Sequence, residues 1–523
     1  LMILGLEILR LVALQLYDLH YALSVFQQCH YHLDRYRNWV AEHFSIQRLW
    51  RRIQSFLPFL FFLFLKVESA RSPSILCVIL IYLYVRLERM KEDRRGVHLR
   101  FTNRMCRLSI CLLVLAAIVT VFVRTSLSYE LYVCLIPFLW MLGWVLLPVA
   151  SCLVQPIERI LQERYVQDAR IRLDTCPQLL RIGISGSYGK TSVKHIAYAL
   201  LKDSYYTLMT PHSYNNRMGI TRTIREQLDP LHEVFLCEMG SDHSGELKEL
   251  LALVRPSICI VTAIGPQHLR TFGSQEAIIQ EKMTMIERLP KEGIGILNID
   301  NPFIRGYPLQ TTAKIITYGF LEDADVRIVT GKAGVEGTYF VLEVEGRCYP
   351  FHTRLLGDHN LLNIAAAIAL ARELHVSMEQ LQTRVDQLPY VEHRLEMKRI
   401  EEGILIDDAY NANPQGALAA CRVLAQMSGW RVLITPRFVE LGEQQKTCSH
   451  AFGKAIAQSA DEVFLVGEEQ VEEIRCALDE EGFPAHQIHH CAHMEEARSL
   501  AKQVSHTPKV ILIENDIPHL FSH

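Results

Sequence analysis

Gly183-Ile184-Ser185-Gly186-Ser187-Tyr188-Gly189-Lys190-Thr191-Ser192 is the stretch on which the fold turns. The apolar residues Leu179 to Ile182 before it read as a strand, and Val193 to Leu201 after it read as a helix. A strand, a glycine-rich turn and a helix N-terminus together make a phosphate cradle. Glycines let backbone N–H groups crowd round an anion, and the helix dipole adds positive potential. Lys190 is placed to reach terminal phosphates and the Thr191 hydroxyl to sit on Mg2+. The strict spacing of this motif wants a glycine at 184, where the chain has Ile184, so only Gly186-x-x-Gly189-Lys190-Thr191 matches. Gly186, Ser187, Gly189, Lys190, Thr191 and Ser192 are therefore the first candidate nucleotide-binding residues.

Composition bounds what surrounds this loop. A chain of 523 residues is long enough for two to four domains. Half of it is hydrophobic and the mean hydropathy is +0.11, with the apolar excess gathered before residue 155. A net charge of -3 argues against a nucleic-acid partner. The 14 cysteines are scattered without C-x-x-C pairs, which argues against a zinc ribbon or disulfide framework and suits a reducing cytosol. The apolar start carries Glu7 and Arg10 and lacks a small-residue cleavage site, so no cleavable signal peptide is expected.

Residues 1–52 read as an amphipathic, interfacial cytosolic segment, and 53–150 as transmembrane helices. Met105 to Val123 and Leu131 to Ala150 are long enough to span a bilayer. Ile53 to Leu65 and Ile75 to Val85 are shorter, and read as a tight hairpin with snorkelling ends or as a re-entrant pair. Basic residues cluster at Arg48 to Arg52, Arg86 to Arg104 and Arg159 to Arg172. The positive-inside rule then predicts about four crossings, with both termini and the middle loop in the cytosol. No acidic residue interrupts the two long spans, so anchoring is the expected role. A linker helix over 151–174 follows.

Beyond Asp174 short apolar runs alternate with amphipathic helices. Strands are predicted at Arg181–Ile184, Val234–Cys237, Ser257–Val261 and Ile294–Leu297, with helices at Gly245–Leu253 and Gln275–Leu289. That alternation indicates a parallel sheet wrapped by helices. A strand-rich patch lies between Ala324 and Tyr349, and a helix spans Leu361 to Leu374. A second α/β series, at Ile404–Ile406, Val432–Ile434, Val463–Val466 and Val510–Ile513, predicts a separate Rossmann-like domain. The expected organisation is thus α/β, with a phosphate-loop central domain over 175–390 and a C-terminal domain over 391–523.

Several further motifs follow in order: Ser213-Tyr-Asn-Asn-Arg-Met-Gly219, Glu238-Met-Gly, Ile264-Gly-Pro-Gln-His268, Glu281-Lys282, Leu297-Asn-Ile-Asp300, Gly357-Asp-His-Asn360 with Asn363, His393-Arg394-Leu-Glu and Asp407-Asp-Ala-Tyr-Asn-Ala-Asn-Pro414. With these motifs the chain resembles the Mur ligase family, ATP-dependent amide ligases of bacterial cell-wall synthesis. It is most similar to the type that adds D-alanyl-D-alanine to a UDP-N-acetylmuramoyl-tripeptide, over roughly residues 175 to 523. The resemblance implies an acid–amine ligase that forms an acyl phosphate with ATP, then joins an amino acid or dipeptide amine and releases ADP and phosphate. Such chemistry needs positioning and concentrated positive charge rather than a covalent nucleophile. Glu238 and His268, both just after predicted strands, suit a magnesium site with Thr191, although alone either reads as a cap or loop residue. The resemblance further implies a carbamylated Lys282 helping to hold a second Mg2+, with Lys190, Lys282, His268 and Glu238 as the catalytic set. It places Asn298, Asp300, Asn360, Asn363, Arg394 and Asp407 on ATP. Asn215, Asn216, Tyr410, Asn411, Asn413 and Pro414 are implied at the substrates.

Three departures bear on the substrate. Membrane helices stand where the family's uridine-diphosphate-binding domain is expected, which points to a lipid-linked acceptor at the cytosolic face of a bacterial membrane. The C-terminal strand ends in Glu514-Asn515-Asp516 instead of Lys-Gly-Ser, so an amine other than D-Ala-D-Ala is expected. Ile434 to Gly442 keeps only the Glu-Leu-Gly end of its counterpart. The histidines between Ala485 and His493 read as a solvated connection because no second ligand cluster has structural-zinc spacing. Within enzymes the runner-up is a poly-amino-acid or lipid-linked peptide amidating ligase. From another class, an ATP-gated transporter or scaffold would want polar residues in the spans and an Asp-Glu strand end, and neither stands out.

Overall fold

The structure, a computed structural model, describes residues 20–29, 31–43, 99–126, 142–267, 269–334, 337–390, 395–401, 403–409, 414–436, 438, 441, 445–467 and 471–514. The chain divides into two units, Leu1–Glu163 and Arg164–His523.

In the first unit, helices over 20–28, Leu33–His43, Asn103–Ser126 and the start of Leu142–Asp174 share a core of Phe26, Tyr36, Met105, Leu108, Leu112, Trp144, Leu147 and Ala150. Trp144 stacks on Trp39 and Tyr36, with ring centroids 6.1 and 6.0 Å away. Arg107 grips the buried Glu158 in a fork, Nε to Oε1 at 2.5 Å and Nη2 to Oε2 at 3.0 Å. Such a bidentate pair is what makes a buried carboxylate tolerable. Outward, Ile110, Leu113, Val114, Ile118, Val121 and Phe122 are exposed on one helix, and Val145, Val149, Leu153, Ile157 and Ile160 on the other.

Among the described residues two helices, not four, are long and apolar enough to cross a membrane, Asn103–Val123 and Trp144–Asp174. The expected four crossings are therefore not supported. The hairpin Ile53–Leu65 and Ile75–Val85 lies outside the described residues. The linker helix expected over 151–174 is the continuation of a helix that starts at Leu142 and runs to Asp174 through Pro148 and Pro156. A proline forfeits one backbone hydrogen bond, a loss that the many remaining bonds of a long helix can absorb.

The second unit is built on two sheets. The first joins β1 (Leu180–Ser185), β2 (Thr207–Met209), β3 (Val234–Glu238), β4 (Ile258–Val261), β5 (Ile294–Asn298), β6 (Lys314–Gly319), β7 (Val326–Gly334), β8 (Gly337–Val344) and β9 (Arg347–Thr353). Their order is β2-β3-β1-β4-β5-β6-β7-β8-β9, parallel through β7 and antiparallel from β7 to β9. Helices Lys190–Leu201 and Asp358–Glu373 cover one face, through Val193, Leu200, Ile364 and Ile368. Helices Arg217–Gln227, Glu246–Val254 and Gln275–Glu287 cover the other, with Val166, Ala169 and Leu173. With both faces covered, β3 and β4 are buried at every position, as a doubly wrapped parallel sheet requires.

The second sheet joins β10 (Glu396–Ile400), β11 (Gly403–Asp408), β12 (Trp430–Thr435), β13 (Glu462–Val466), β14 (Ile488–Cys491) and β15 (Lys509–Glu514). Its order is β10-β11-β15-β12-β13-β14, with only the β10 edge antiparallel. Lys509 begins β15 fully buried, its ammonium donating to the carbonyls of Lys502 at 2.5 Å and Val504 at 2.9 Å, which ties down the end of helix Met494–Gln503. Because β1, β3, β4 and β5 are parallel, Ser185, Glu238, Val261 and Asn298 end along one sheet edge, where ligands of open α/β sheets bind.

Candidate functional site

The loop after β1 is shaped by contacts that only glycine permits. Gly186 has φ +145°, and a Cβ there would lie 2.2 Å from Thr262 Oγ1 and 2.9 Å from the Ala263 carbonyl. Gly189, at φ +82°, caps the Lys190–Leu201 helix without any side-chain hydrogen bond. No cap side chain therefore stands at the start of that helix, where an anion is favoured. Lys190 folds its ammonium over the loop, donating to the Gly186 carbonyl at 2.8 Å and the Ser187 carbonyl at 3.1 Å. Ser187 is pinned from beneath, its hydroxyl and Gly265 hydrogen-bonded at 3.1 Å. Ser192 is buried in the first turn.

Glu238 ends β3 opposite Ile184 and is 1% exposed, with both carboxylate oxygens hydrogen-bonded. Its Oε1 accepts from the Thr191 hydroxyl and the Asn215 amide, both at 3.1 Å, and its Oε2 accepts from the Lys194 ammonium at 3.0 Å. Asn215 packs against Gly240, where a Cβ would come within 2.9 Å of its Oδ1. Asn215 is thus a partner of Glu238. Its neighbour Asn216 caps the Arg217–Gln227 helix, Oδ1 accepting from Gly219 N at 2.9 Å.

Lys282 lies on the Gln275–Glu287 helix, 3% exposed. Its amine donates to Ser241 Oγ at 2.7 Å and to the Ser241 carbonyl at 3.3 Å. Burial, reinforced by the nearby Lys190 charge, lowers its pKa to about 7 against the pull of Glu281, Asp242 and Glu246. Glu281 is turned elsewhere: its carboxylate accepts from Gly245 N and Leu247 N, both at 2.8 Å, closing the start of the Glu246–Val254 helix.

The remaining expected nucleotide residues divide. Asn363 is brought to the loop, its Oδ1 2.7 Å from where a Gly189 Cβ would stand, and its amide reaches Asn360 Oδ1 at 3.4 Å. Asn298 and Asp300 brace a turn: Asn298 Oδ1 accepts from Asp300 N at 3.0 Å, and Asp300 accepts from Phe320 N at 2.8 Å and Leu321 N at 3.1 Å. Asp407 accepts from the Lys398 ammonium at 3.0 Å and from Ala409 N at 3.3 Å. Pro414 opens the Pro414–Ala425 helix. His268, Arg394, Tyr410, Asn411 and Asn413 lie outside the described residues.

Of the acidic trio that ends β15, Glu514 is described, and Asn515 and Asp516 lie outside the described residues. Glu514 is fully buried beside Asp408 on the neighbouring strand, near enough to Cys421 to help burial push that thiol up to about 12. The histidine-rich segment forms the edge strand β14, with His489 on Phe464 at 4.5 Å and against Glu462 at 2.8 Å. Among the described residues no group of three or more His, Cys, Asp or Glu side chains is placed to hold a metal. Sequence reading missed Lys194 and Ser241. A lysine inside the apolar run Val193-Lys194-His195-Ile196-Ala197 was the available signal, because an unpaired charge there could not be buried.

The Mur ligase middle domain matches residues 184–371, and the Mur ligase glutamate ligase domain matches residues 393–514. The UDP-N-acetylmuramoyl-tripeptide--D-alanyl-D-alanine ligase of Escherichia coli K12 is 29% identical over 326 residues, covering 60% of this chain and 72% of that enzyme. The Bacillus subtilis ligase of the same name is 31% identical over 291 residues, 55% of this chain and 62% of that one, so less than two thirds of its length is matched. MurF from Acinetobacter baumannii superposes with a TM-score of 0.61 at 25% identity, covering 69% of this chain and 78% of its own. MurF from Thermotoga maritima, solved in complex with ADP, shares the fold with a TM-score of 0.61 at 22% identity, covering 69% and 81%.

Proposed function

The chain belongs to the Mur ligase family, and from that membership we propose that it is an ATP-dependent acid–amine ligase of cell-wall precursor synthesis. One observation carries the reading: the phosphate loop with Lys190 and Thr191, the β3 carboxylate Glu238 and the buried amine Lys282 meet at one sheet edge. In the reaction a substrate carboxylate oxygen bonds to the γ-phosphorus of ATP as the bond to the bridging oxygen breaks and ADP departs. An amine nitrogen then attacks the acyl carbon, loses a proton, and phosphate leaves with the former carboxylate oxygen. No side chain has to form a covalent bond. Lys190 and the N-terminus of its helix hold the triphosphate and offset its charge, which is worth most where water is excluded.

Thr191 and Glu238 offer two hard oxygen donors 3.1 Å apart, a fit for magnesium. When bound there it would neutralise phosphate charge and polarise the γ-phosphoryl oxygens. His268 is proposed to complete that set. Lys282, with a pKa near 7, presents a substantial fraction of neutral amine, the form that attacks carbon dioxide. A carbamate formed there, with loss of a proton, would give the site an anion for a second ion.

The carboxylate partner is proposed to be a cell-wall peptide precursor and the amine an amino acid or dipeptide; the names of the E. coli and B. subtilis relatives give a UDP-N-acetylmuramoyl-tripeptide and D-alanyl-D-alanine. Residues 1–163 lie outside both matched domains. The exposed apolar faces of Asn103–Ser126 and Leu142–Asp174 support a membrane anchor, and with it a lipid-linked acceptor at the cytosolic face. The test is mass spectrometry of products formed with ATP, Mg2+, amino acids or dipeptides, and either UDP-linked or lipid-linked muropeptides. ADP release coupled to a new amide is the expected result. Turnover indifferent to added amine would refute the ligase, and use of soluble precursor alone would refute the lipid-linked acceptor.

A further inference from the structure

We infer that Lys194 is a positioning residue for the magnesium-binding carboxylate, a role that rests on the reading of Glu238 as a metal ligand. Lys194 stands one helical turn beyond Lys190, on the inward side of the Lys190–Leu201 helix, and is 0% exposed. A buried ammonium persists only where partners offset its lost hydration. Here those partners are the His212 carbonyl and Glu238 Oε2, the latter at 3.0 Å. The two oxygens of Glu238 are thereby made unequal. Oε2 is held by a fixed cation, while Oε1 faces the Thr191 hydroxyl and the Asn215 amide, each at 3.1 Å.

Two consequences follow for an ion at this site. Only Oε1 is left on the Thr191 side, so Glu238 gives the ion one oxygen and cannot rotate to chelate with two. The lysine also cancels the carboxylate's charge, so the pair offers a bare divalent cation little net attraction. The ion then binds as a complex with the nucleotide, whose phosphates bring the missing negative charge. Lys194 therefore couples metal binding to nucleotide binding without touching the reacting atoms.

The test uses the full chain with Mn2+ as a paramagnetic probe, measuring bound ion with and without ADP, and the Mg2+ dependence of turnover. Lys194→Met should bind bare Mn2+ more tightly by on the order of tenfold, the effect of removing one nearby unit charge. Its advantage for Mn2+ with ADP over Mn2+ alone should shrink correspondingly. Lys194→Gln, which keeps a hydrogen-bond donor without the charge, should show the same gain in bare-ion affinity while losing less turnover. If either variant is unstable in chelator, Mn2+ should restore its thermal transition, because the ion takes the lysine's place as counter-charge. Unchanged bare-ion affinity, or instability that Mn2+ does not relieve, would overturn the proposal. Glu238→Gln separates the two readings. If it binds Mn2+ with ADP as the unaltered protein does, Glu238 is not a ligand and the metal site itself is misassigned.

Discussion

Gly186 and Lys282 show how far single residues set this site. A methyl group at Gly186 would collide with Thr262 Oγ1 and the Ala263 carbonyl in a backbone region closed to L side chains. Gly186→Ala should cost about 1–3 kcal/mol of stability. Nucleotide affinity should fall with it, both measurable by thermal unfolding with and without ADP. Lys282 gives a signed pH effect. Below about pH 7 its amine is protonated in both folded and unfolded chains, so it adds no slope there. Between pH 7 and its ordinary value of 10.5 only the unfolded chain keeps the proton, so stability should rise with pH across that window. Lys282→Met should flatten the slope in denaturant titrations from pH 7 to 9 with carbon dioxide excluded. Lys282→Ala should abolish turnover and regain part of it with a small added carboxylate; full activity without rescue would rule out the carbamate. The loop and Glu238 were legible because each is a local pattern, a glycine turn or a strand end. Lys194 and Ser241 were not, since their contacts bridge 44 and 41 residues of sequence and depend on how β3 meets two helices.

At the scale of elements, Glu281 links a helix start to the chemistry. Its carboxylate caps the Glu246–Val254 helix, and the turn it secures leads directly from Ser241, the hydrogen-bond partner of Lys282. Glu281→Ala should therefore lower stability by about 1–3 kcal/mol, the cost of orphaned buried donors. It should also slow single-turnover ligation, whereas Glu281→Gln, able to accept one of the two bonds, should fall between. An unchanged single-turnover rate in a destabilised Glu281→Ala would separate capping from catalysis. The parallel strands were readable to within a residue or two, because strands buried on both faces are unbroken apolar runs: Val234–Cys237 was predicted where Val234–Glu238 is found. The short edge strand β2 and the strand β14 were not. Three residues, or an Ile-His-His-Cys run, carry too little alternation to stand out from a connection. Asn298 and Asp300 illustrate a different limit. The motif is visible, but Asn298 Oδ1 is taken up by the turn after β5 and the Asp300 carboxylate by the backbone just past β6.

For the whole molecule, the question is what medium the apolar helices meet. Only 11% of the apolar window in Asn103–Val123 is buried within the protein, and the proposed membrane anchor would cover the rest. Chain hydrophobicity alone leaves the number of crossings open, because short apolar runs such as Ile53–Leu65 read first as half of a hairpin but also fit a re-entrant pair. Cysteines already in the chain report on the answer. Cys106 and Cys152 are exposed on the apolar helices, while Cys348 and Cys476 are exposed in the catalytic unit. In water all four thiols would react. In a bilayer the first pair is surrounded by lipid, where the thiolate needed for alkylation is not formed. With a membrane-impermeant maleimide, intact spheroplasts should leave Cys348 and Cys476 unlabelled, and inverted vesicles should label both. Cys106 and Cys152 should stay unmodified from either side until detergent dissolves the membrane. Labelling of Cys348 from outside would place the ligase unit on the wrong face for cytosolic ATP. Reaction of Cys152 in sealed vesicles would show that its helix contacts water rather than acyl chains.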